Sequence, residues 1–141
     1  MLDFQEFNDF RNTVSYKIVI HVRLTDFNQI DKNPLNSSYY NQALAEIRSH
    51  TQNSPIVCFS DDIATAREIL NQIPNLEFPE EMEEFRPDIL LFHLSSAQTL
   101  ICSKSSLCWW AGQVVIANGG KVISPFNHNL QNEEWVTISQ N

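Results

Sequence analysis

The sequence predicts an α/β domain with a mainly parallel β-sheet. Short runs of β-branched residues alternate with segments whose apolar residues recur at helical spacing, which is the pattern of βαβ units. The first predicted strand covers residues 17–22 and is continuously apolar at Ile18-Val19-Ile20, as expected of a central strand covered on both faces. Four more strands are predicted at residues 55–59, 76–78, 99–102 and 121–124.

Four helices are predicted between these strands. The first is expected to be capped by Ser37 or Ser38, and the second covers residues 63–71 after a run of good N-cap residues at 60–62. The third covers residues 88–94, and the fourth runs from Ser105 or Ser106 to about residue 117. Asn118-Gly119-Gly120 is expected to end it, because glycine tolerates the left-handed conformation that closes many helices.

The composition limits the class of protein. With 141 residues, of which 43% are hydrophobic, the chain is long enough for one core. We assign residues 1–15 to an N-terminal helical extension and residues 16–141 to the domain itself. Nine Lys and Arg stand against seventeen Asp and Glu, giving a net charge of −8. Because no basic stripe is present, nucleic acid is excluded as a partner.

The cysteines and the N-terminus predict a cytoplasmic protein. Cys58, Cys102 and Cys108 lie in apolar or semi-apolar segments, and their odd number without close pairing is typical of buried, reduced thiols. The first residues lack the basic flank and apolar run of a signal peptide. No apolar stretch is long enough to predict a transmembrane segment.

Polar residues follow four of the predicted strands, at residues 21–26, 60–62, 103–106 and 124–126. Parallel sheets bind their ligands at the carboxyl ends of the strands. The sequence therefore predicts a binding site where these four segments converge.

Arg23 and His21 are the first candidates for this site. A guanidinium binds phosphate with two hydrogen bonds and stays charged, so Arg23 suits a diphosphate. The alternative is a surface arginine paired with Asp26. His21 lies two residues earlier and should point the same way as Arg23. It either shapes the base or phosphate pocket or is a buried histidine satisfied within the core.

Asp61 and Asp62 follow the second strand. A metal-binding acidic pair is one interpretation, but no third hard ligand stands nearby in the sequence. Helix capping explains both positions. A single carboxylate at this strand end would also suit the two hydrogen-bond donors of guanine.

Ser105 and Ser106 stand at the start of the fourth helix. Helix-start amides together with hydroxyls form an anion site, although capping alone explains both serines equally well. Trp109 and Trp110, one turn later, are expected to belong to the core and to anchor the helix against the sheet.

Taken together, these segments resemble glycosyltransferase family 11, the alpha-1,2-fucosyltransferases. The H-x-R-R-x-D-type motif of that superfamily stands here as His21-Val22-Arg23-Leu24-Thr25-Asp26. A tyrosine pair, Tyr39-Tyr40, and then Phe59-Ser60-Asp61-Asp62-Ile63 correspond to the next block. Lys104-Ser105-Ser106-Leu107-Cys108-Trp109-Trp110-Ala111-Gly112 corresponds to the last block, and Lys121-Val122-Ile123-Ser124-Pro125 to the closing segment.

The resemblance implies a Rossmann-like three-layer sandwich, similar to the C-terminal half of a GT-B glycosyltransferase. It implies GDP-fucose as donor, a galactoside-type acceptor, inversion at the anomeric carbon and no required metal or other cofactor. By position, Arg23 and Asp26 are the catalytic candidates, with Arg23 neutralising the β-phosphate as GDP leaves. The implied donor-binding residues are His21, Arg23, Asp62, Ser105 and Ser106.

Two departures from the family pattern bear on activity. Leu24 replaces the second arginine of the motif, and Lys104 replaces an asparagine before the serines and supplies charge nearby. An N-terminal Rossmann-like half has no counterpart before residue 16. We therefore expect a truncated or split gene product, or a chain that pairs with a second copy or with another chain. Peripheral attachment to the inner membrane is a further possibility for its location. The alternative function is a non-catalytic remnant or a GDP-sugar-binding module.

Overall fold

A six-stranded sheet forms the centre of the protein in its computed structural model, which describes residues 16–24, 36–51, 54–79, 87–125 and 136–138. The elements, in chain order, are β1 (Tyr16–Val22), α1 (Ser37–Thr51), β2 (Ile56–Ser60), α2 (Ile63–Ile69), β3 (Leu76–Glu77), α3 (Pro87–Ser95), β4 (Ala97–Ile101), α4 (Ser106–Ala117), β5 (Lys121–Pro125) and β6 (Val136–Ile138).

The strands lie in the order β3-β2-β1-β4-β5-β6, and every neighbouring pair is parallel. The chain moves outward from β1 to β3 and then returns to the other side of β1 to begin β4. This is the strand order of the Rossmann fold, and its direction reverses between β1 and β4. The predicted α/β fold with a parallel sheet is therefore confirmed.

Helices cover both faces of the sheet, so the fold has three layers. Alternate side chains of a strand point to opposite faces. Ile18 and Ile20 pack with α1 and α2 in one buried cluster, the α1-face cluster, whereas Val19 packs with α3 and α4 in a second, the α4-face cluster. Because β1 is buried on both faces, its near-continuous apolar run is explained.

Side chains at the helix ends fix where the helices begin and stop. The α1 cap is Asn36, whose Oδ1 accepts the Tyr39 N–H at 3.2 Å, so the expectation of Ser37 or Ser38 was wrong by one or two residues. The predicted end of α4 is correct. Asn118 is its C-cap, and Gly119 follows with a φ of 83°.

One strand was missed by the sequence reasoning. β6 pairs with β5 from Ile123↔Val136 to Pro125↔Ile138, although residues 121–124 were expected to form the last strand. Its three residues are β-branched, but so short a run cannot be told from a loop until the neighbouring strand is known. In the described ranges, no helix has the length and apolar character needed to cross a bilayer.

Candidate donor site at the carboxyl ends of β1 and β4

The candidate site lies where the strand order reverses. β1 and β4 pair side by side up to Ile20↔Ile101. The segments that leave them, at residues 21–24 and 102–105, therefore lie next to each other at one edge of the sheet. α4 begins directly after the second segment, so its N-terminus lies at the same edge. All four predicted polar segments lie at this edge as far as they are described, with residues 60–62, 21–24, 103–106 and 124–125 at the carboxyl ends of the neighbouring parallel strands β2, β1, β4 and β5.

His21 is a buried histidine that connects β1 to the segment after β4. Only 2% of its surface is exposed, and its Nδ1 lies 2.8 Å from the hydroxyl of Ser103, which is itself 1% exposed. Of the two alternatives for His21, the structure favours the satisfied core histidine. A contact of the His21 ring with a nucleotide stays a prediction.

Two cysteines pack beside His21. The Cys102 thiol donates to the carbonyl of Cys108 at 3.4 Å, and the two sulfurs are 2.8 Å apart. Burial acts to raise the pKa of the Cys108 thiol. Hydrogen bonds with Cys102 and His21, the charge of His21 and the Ser103 backbone outweigh burial and lower that pKa to about 6. All three cysteines are buried and free of disulfide bonds, which agrees with the sequence prediction.

The N-terminus of α4 has the features of an anion site. Ser105 is its N-cap, and the Ser105 hydroxyl accepts the Cys108 N–H at 3.3 Å. Ser105 is 6% exposed, whereas Ser106 is exposed. The first turn of this 12-residue helix carries no acidic side chain to neutralise the positive end of its dipole. Because Ser105 is buried and Ser106 is exposed, Ser106 is the serine that can offer its hydroxyl to a ligand at this helix end.

Asp61 and Asp62 have different structural roles. Asp62 is the N-cap of α2, and its two carboxylate oxygens accept the N–H and the hydroxyl of Thr65 at 3.1 and 2.8 Å. Asp61 Oδ1 accepts the backbone N–H of Leu24 at 2.9 Å and so ties the segment after β1 to the end of β2. Capping explains Asp62, and its part in guanine recognition stays a prediction.

The residues after His21 differ in their surroundings. Leu24, which stands where the motif has its second arginine, is 4% exposed and belongs to the α1-face cluster. Arg23 and Lys104 are half-buried and follow the neighbouring strands β1 and β4. Asp26 lies outside the described residues, as does its suggested pairing with Arg23, and its catalytic role stays a prediction.

Tyr39 and Tyr40 reach the same edge of the sheet from α1. The Tyr40 hydroxyl donates to the carbonyl of His21 at 3.2 Å, and that of Tyr39 donates to the carbonyl of Cys102 at 2.7 Å. Each side chain is 1% exposed. Burial raises the pKa of both phenols well above the usual value, so they remain donors. The sequence indicated these tyrosines as a motif, but their partners appear only once the helix is packed on the sheet.

The expectation that both tryptophans belong to the core was wrong for Trp110. Trp109 packs against the α4-face cluster, while Trp110 is 60% exposed and meets Trp109 edge-to-face at 4.7 Å. Neighbouring residues of a helix point about 100° apart, so the two indoles cannot both face the sheet.

A groove of about 570 Å³ lies at the opposite edge of the sheet. Residues 96–99 and 118–121 line it, together with Val115, at the amino ends of β4 and β5. None of the predicted site residues contributes to it, so it is separate from the site at the carboxyl ends.

Comparison with known proteins identifies the family. A search of curated proteins found no match. The sequence model described as "Glycosyl transferase family 11" matches residues 5–141, which is nearly the whole chain and includes every described element. This match agrees with the resemblance noted in the motifs and with the Rossmann-like sheet, and it implies a nucleotide sugar as donor substrate. The chain therefore belongs to glycosyltransferase family 11.

Proposed function

We propose that this chain binds GDP-fucose at the carboxyl ends of β1 and β4 and is the donor-binding part of a galactoside fucosyltransferase that inverts the anomeric carbon. The observation that carries the proposal is the convergence of the α4 N-terminus with the segments after β1 and β4, where the strand order reverses. Family membership supports a nucleotide-sugar donor, and the choice of GDP-fucose rests on the motif resemblance.

The diphosphate is assigned to the N-terminus of α4. There the backbone amides at the start of the helix, before the capped amide of Cys108, and the exposed Ser106 hydroxyl would donate to phosphate oxygens. Arg23 adds a charged, two-pronged donor from the end of β1, and Lys104 adds a second cation just before the helix. As the glycosidic bond breaks, negative charge grows on the β-phosphate. Arg23 and the helix dipole would stabilise this charge.

Two residues are assigned other parts in donor binding. Asp62 would accept hydrogen bonds from guanine with the lone pairs that Thr65 leaves unused, because a carboxylate offers about four acceptor positions. His21 would contribute through the segment it holds. We propose that neither donor binding nor the departure of GDP needs a metal.

A GDP-sugar-binding module without transfer activity is the second candidate. The observation that favours it is Leu24, because a buried leucine in the α1-face cluster leaves one cation fewer beside the diphosphate. Binding of GDP-fucose without hydrolysis or transfer to a galactoside would identify this case.

Calorimetric titration with GDP tests the proposal. Arg23→Ala should weaken binding by at least about tenfold, the loss expected for a hydrogen bond to a charged group. Lys17→Ala is the matched control, since it removes an exposed cation at the amino end of the same strand, and it should leave GDP affinity unchanged. Absence of binding at millimolar GDP would overturn the proposal.

Lys104→Ala decides whether the lysine compensates for Leu24. If both cations contact the diphosphate, this variant should lose affinity more strongly at low salt than at high salt. An unchanged GDP affinity, next to a loss in Arg23→Ala, would contradict the compensation.

A further inference from the structure

Tyr39 and Tyr40, near the start of α1, make hydrogen bonds that the proposed function does not explain. Their hydroxyls donate hydrogen bonds from the helix layer to backbone carbonyls at the carboxyl ends of the central strands β1 and β4. We propose that Tyr39 and Tyr40 are positioning residues of the donor site, which hold the segments after β1 and β4 from the α1 face while the His21–Ser103 pair holds them from the α4 face. This inference rests on the proposed function.

The Tyr39 hydroxyl acts on the segment that leads into α4. It donates to the carbonyl of Cys102 at 2.7 Å and lies 3.5 Å from the carbonyl of Ile123. The same Ile123 carbonyl accepts the Cys102 N–H at 2.8 Å. The main chain of Cys102 is therefore held through both its N–H and its carbonyl. Since only Ser103 and Lys104 separate it from the α4 cap, its position sets where the helix begins.

The Tyr40 hydroxyl acts on the segment after β1. It donates to the His21 carbonyl at 3.2 Å, while the His21 ring is paired with Ser103 at 2.8 Å. His21 is thereby held by its main chain on one face of the sheet and by its side chain on the other. Arg23, two residues later, leaves the strand from a backbone that cannot shift without breaking one of these contacts.

The two phenols also support each other. Their rings meet edge-to-face at 4.9 Å, and both are almost completely buried among the aliphatic residues of the α1-face cluster. Phenylalanine at either position keeps this packing and removes only the hydroxyl. The substitution therefore separates the hydrogen bond from the core around it.

Positioning matters because a site that binds by fixed amides and cations depends on their spacing. A displacement of about 1 Å in a group that positions a ligand is enough to weaken its action many-fold. Residues that lock the supporting backbone consequently affect affinity without touching the ligand.

The test uses three tyrosine-to-phenylalanine variants of the full chain. Tyr39→Phe and Tyr40→Phe remove the two hydroxyls at the site. Tyr16→Phe is the matched control, because its hydroxyl lies 2.7 Å from His93 Nδ1 at the amino end of β1, at the far edge of the sheet. For each variant, we would measure the melting temperature, the amide hydrogen exchange of residues 21–24 and 102–106 without ligand, and the affinity for GDP.

We expect Tyr39→Phe and Tyr40→Phe to speed exchange in these segments and to weaken GDP binding, each by about three- to tenfold, which corresponds to one hydrogen bond. Tyr16→Phe should lower the melting temperature, while amide exchange in residues 21–24 and 102–106 and the affinity for GDP stay at the wild-type values. If the two site variants change only the melting temperature, as the control does, the positioning role is wrong. If the wild type binds no GDP, the proposed function fails, and the exchange data still decide whether the tyrosines hold the two segments.

Discussion

Substitution of Ser103 by alanine tests how strongly the buried pair at the site stabilises the fold. Ser103 Oγ and His21 Nδ1 are 2.8 Å apart, and the two residues are 1% and 2% exposed. Alanine removes the hydroxyl and leaves the imidazole without this partner, in surroundings that water reaches poorly. The cost of leaving a buried polar group without its partner is about 1–3 kcal/mol, so we expect a loss of about 2 kcal/mol in the free energy of unfolding.

Ser38→Ala is the matched control. The amide of Gln42 donates to Ser38 Oγ at 2.9 Å, nearly the same length, but both residues are exposed on α1. Water replaces the lost partner there, and an exposed pair one helical turn apart contributes only about 0.2–0.5 kcal/mol. Because the two hydrogen bonds have similar length, a difference between the variants measures the effect of burial.

Urea unfolding followed by far-ultraviolet circular dichroism measures both variants. We expect a lower midpoint with an unchanged slope in Ser103→Ala, and a melting temperature lower by about 8 °C at about 4 °C per kcal/mol for a domain of this size. Equal losses in Ser103→Ala and Ser38→Ala would contradict this expectation, since they would mean that the His21–Ser103 pair behaves as if it were solvent-exposed.

Two further predictions concern the helix cap and the tyrosines. Asp62→Asn keeps an N-cap acceptor for the Thr65 N–H, so the free energy of unfolding should change by less than about 0.5 kcal/mol. The preference for GDP over ADP, measured by calorimetry, should fall. An unchanged preference would exclude Asp62 from base recognition. The pKa values of Tyr39 and Tyr40 are raised by burial, so the stability that they contribute is complete below about pH 10, the usual phenol pKa, and is lost as pH rises toward their folded values. Phenolate absorbance in Tyr16→Phe should therefore appear only together with alkaline unfolding, and its appearance in the folded protein would contradict the burial of both phenols.

Local residue patterns were sufficient for most of the fold. The apolar run of β1 predicts a strand buried on both faces, because only such a strand has no polar side to display. The serine pair at 105–106 and the segment 118–120 predict both ends of α4, because such residues satisfy requirements of their own backbone positions. The ordered motifs also indicated the family, which the match over residues 5–141 confirms.

What the sequence could not decide depends on residues that are far apart in the chain. That His21 is paired with Ser103, 82 positions later, follows only from the placement of β4 beside β1. The exposure of Trp110, the pairing of β6 with β5 and the partners of the Tyr39 and Tyr40 hydroxyls have the same origin.

The residue patterns were therefore enough to indicate the family and every described element except β6, and they predict the edge of the sheet at which we place the donor site. These follow from hydrophobic periodicity and from residues at strand and helix ends, which act over a few positions of the chain. Which polar groups at that edge bond to one another, and which reach solvent, depends instead on how the helices pack on the sheet. Ser105 and Ser106 are neighbours with the same side chain, yet one caps α4 and is buried while the other is exposed. The packing of α4 on the sheet makes this difference, because it covers one side of the helix and leaves the other to the solvent.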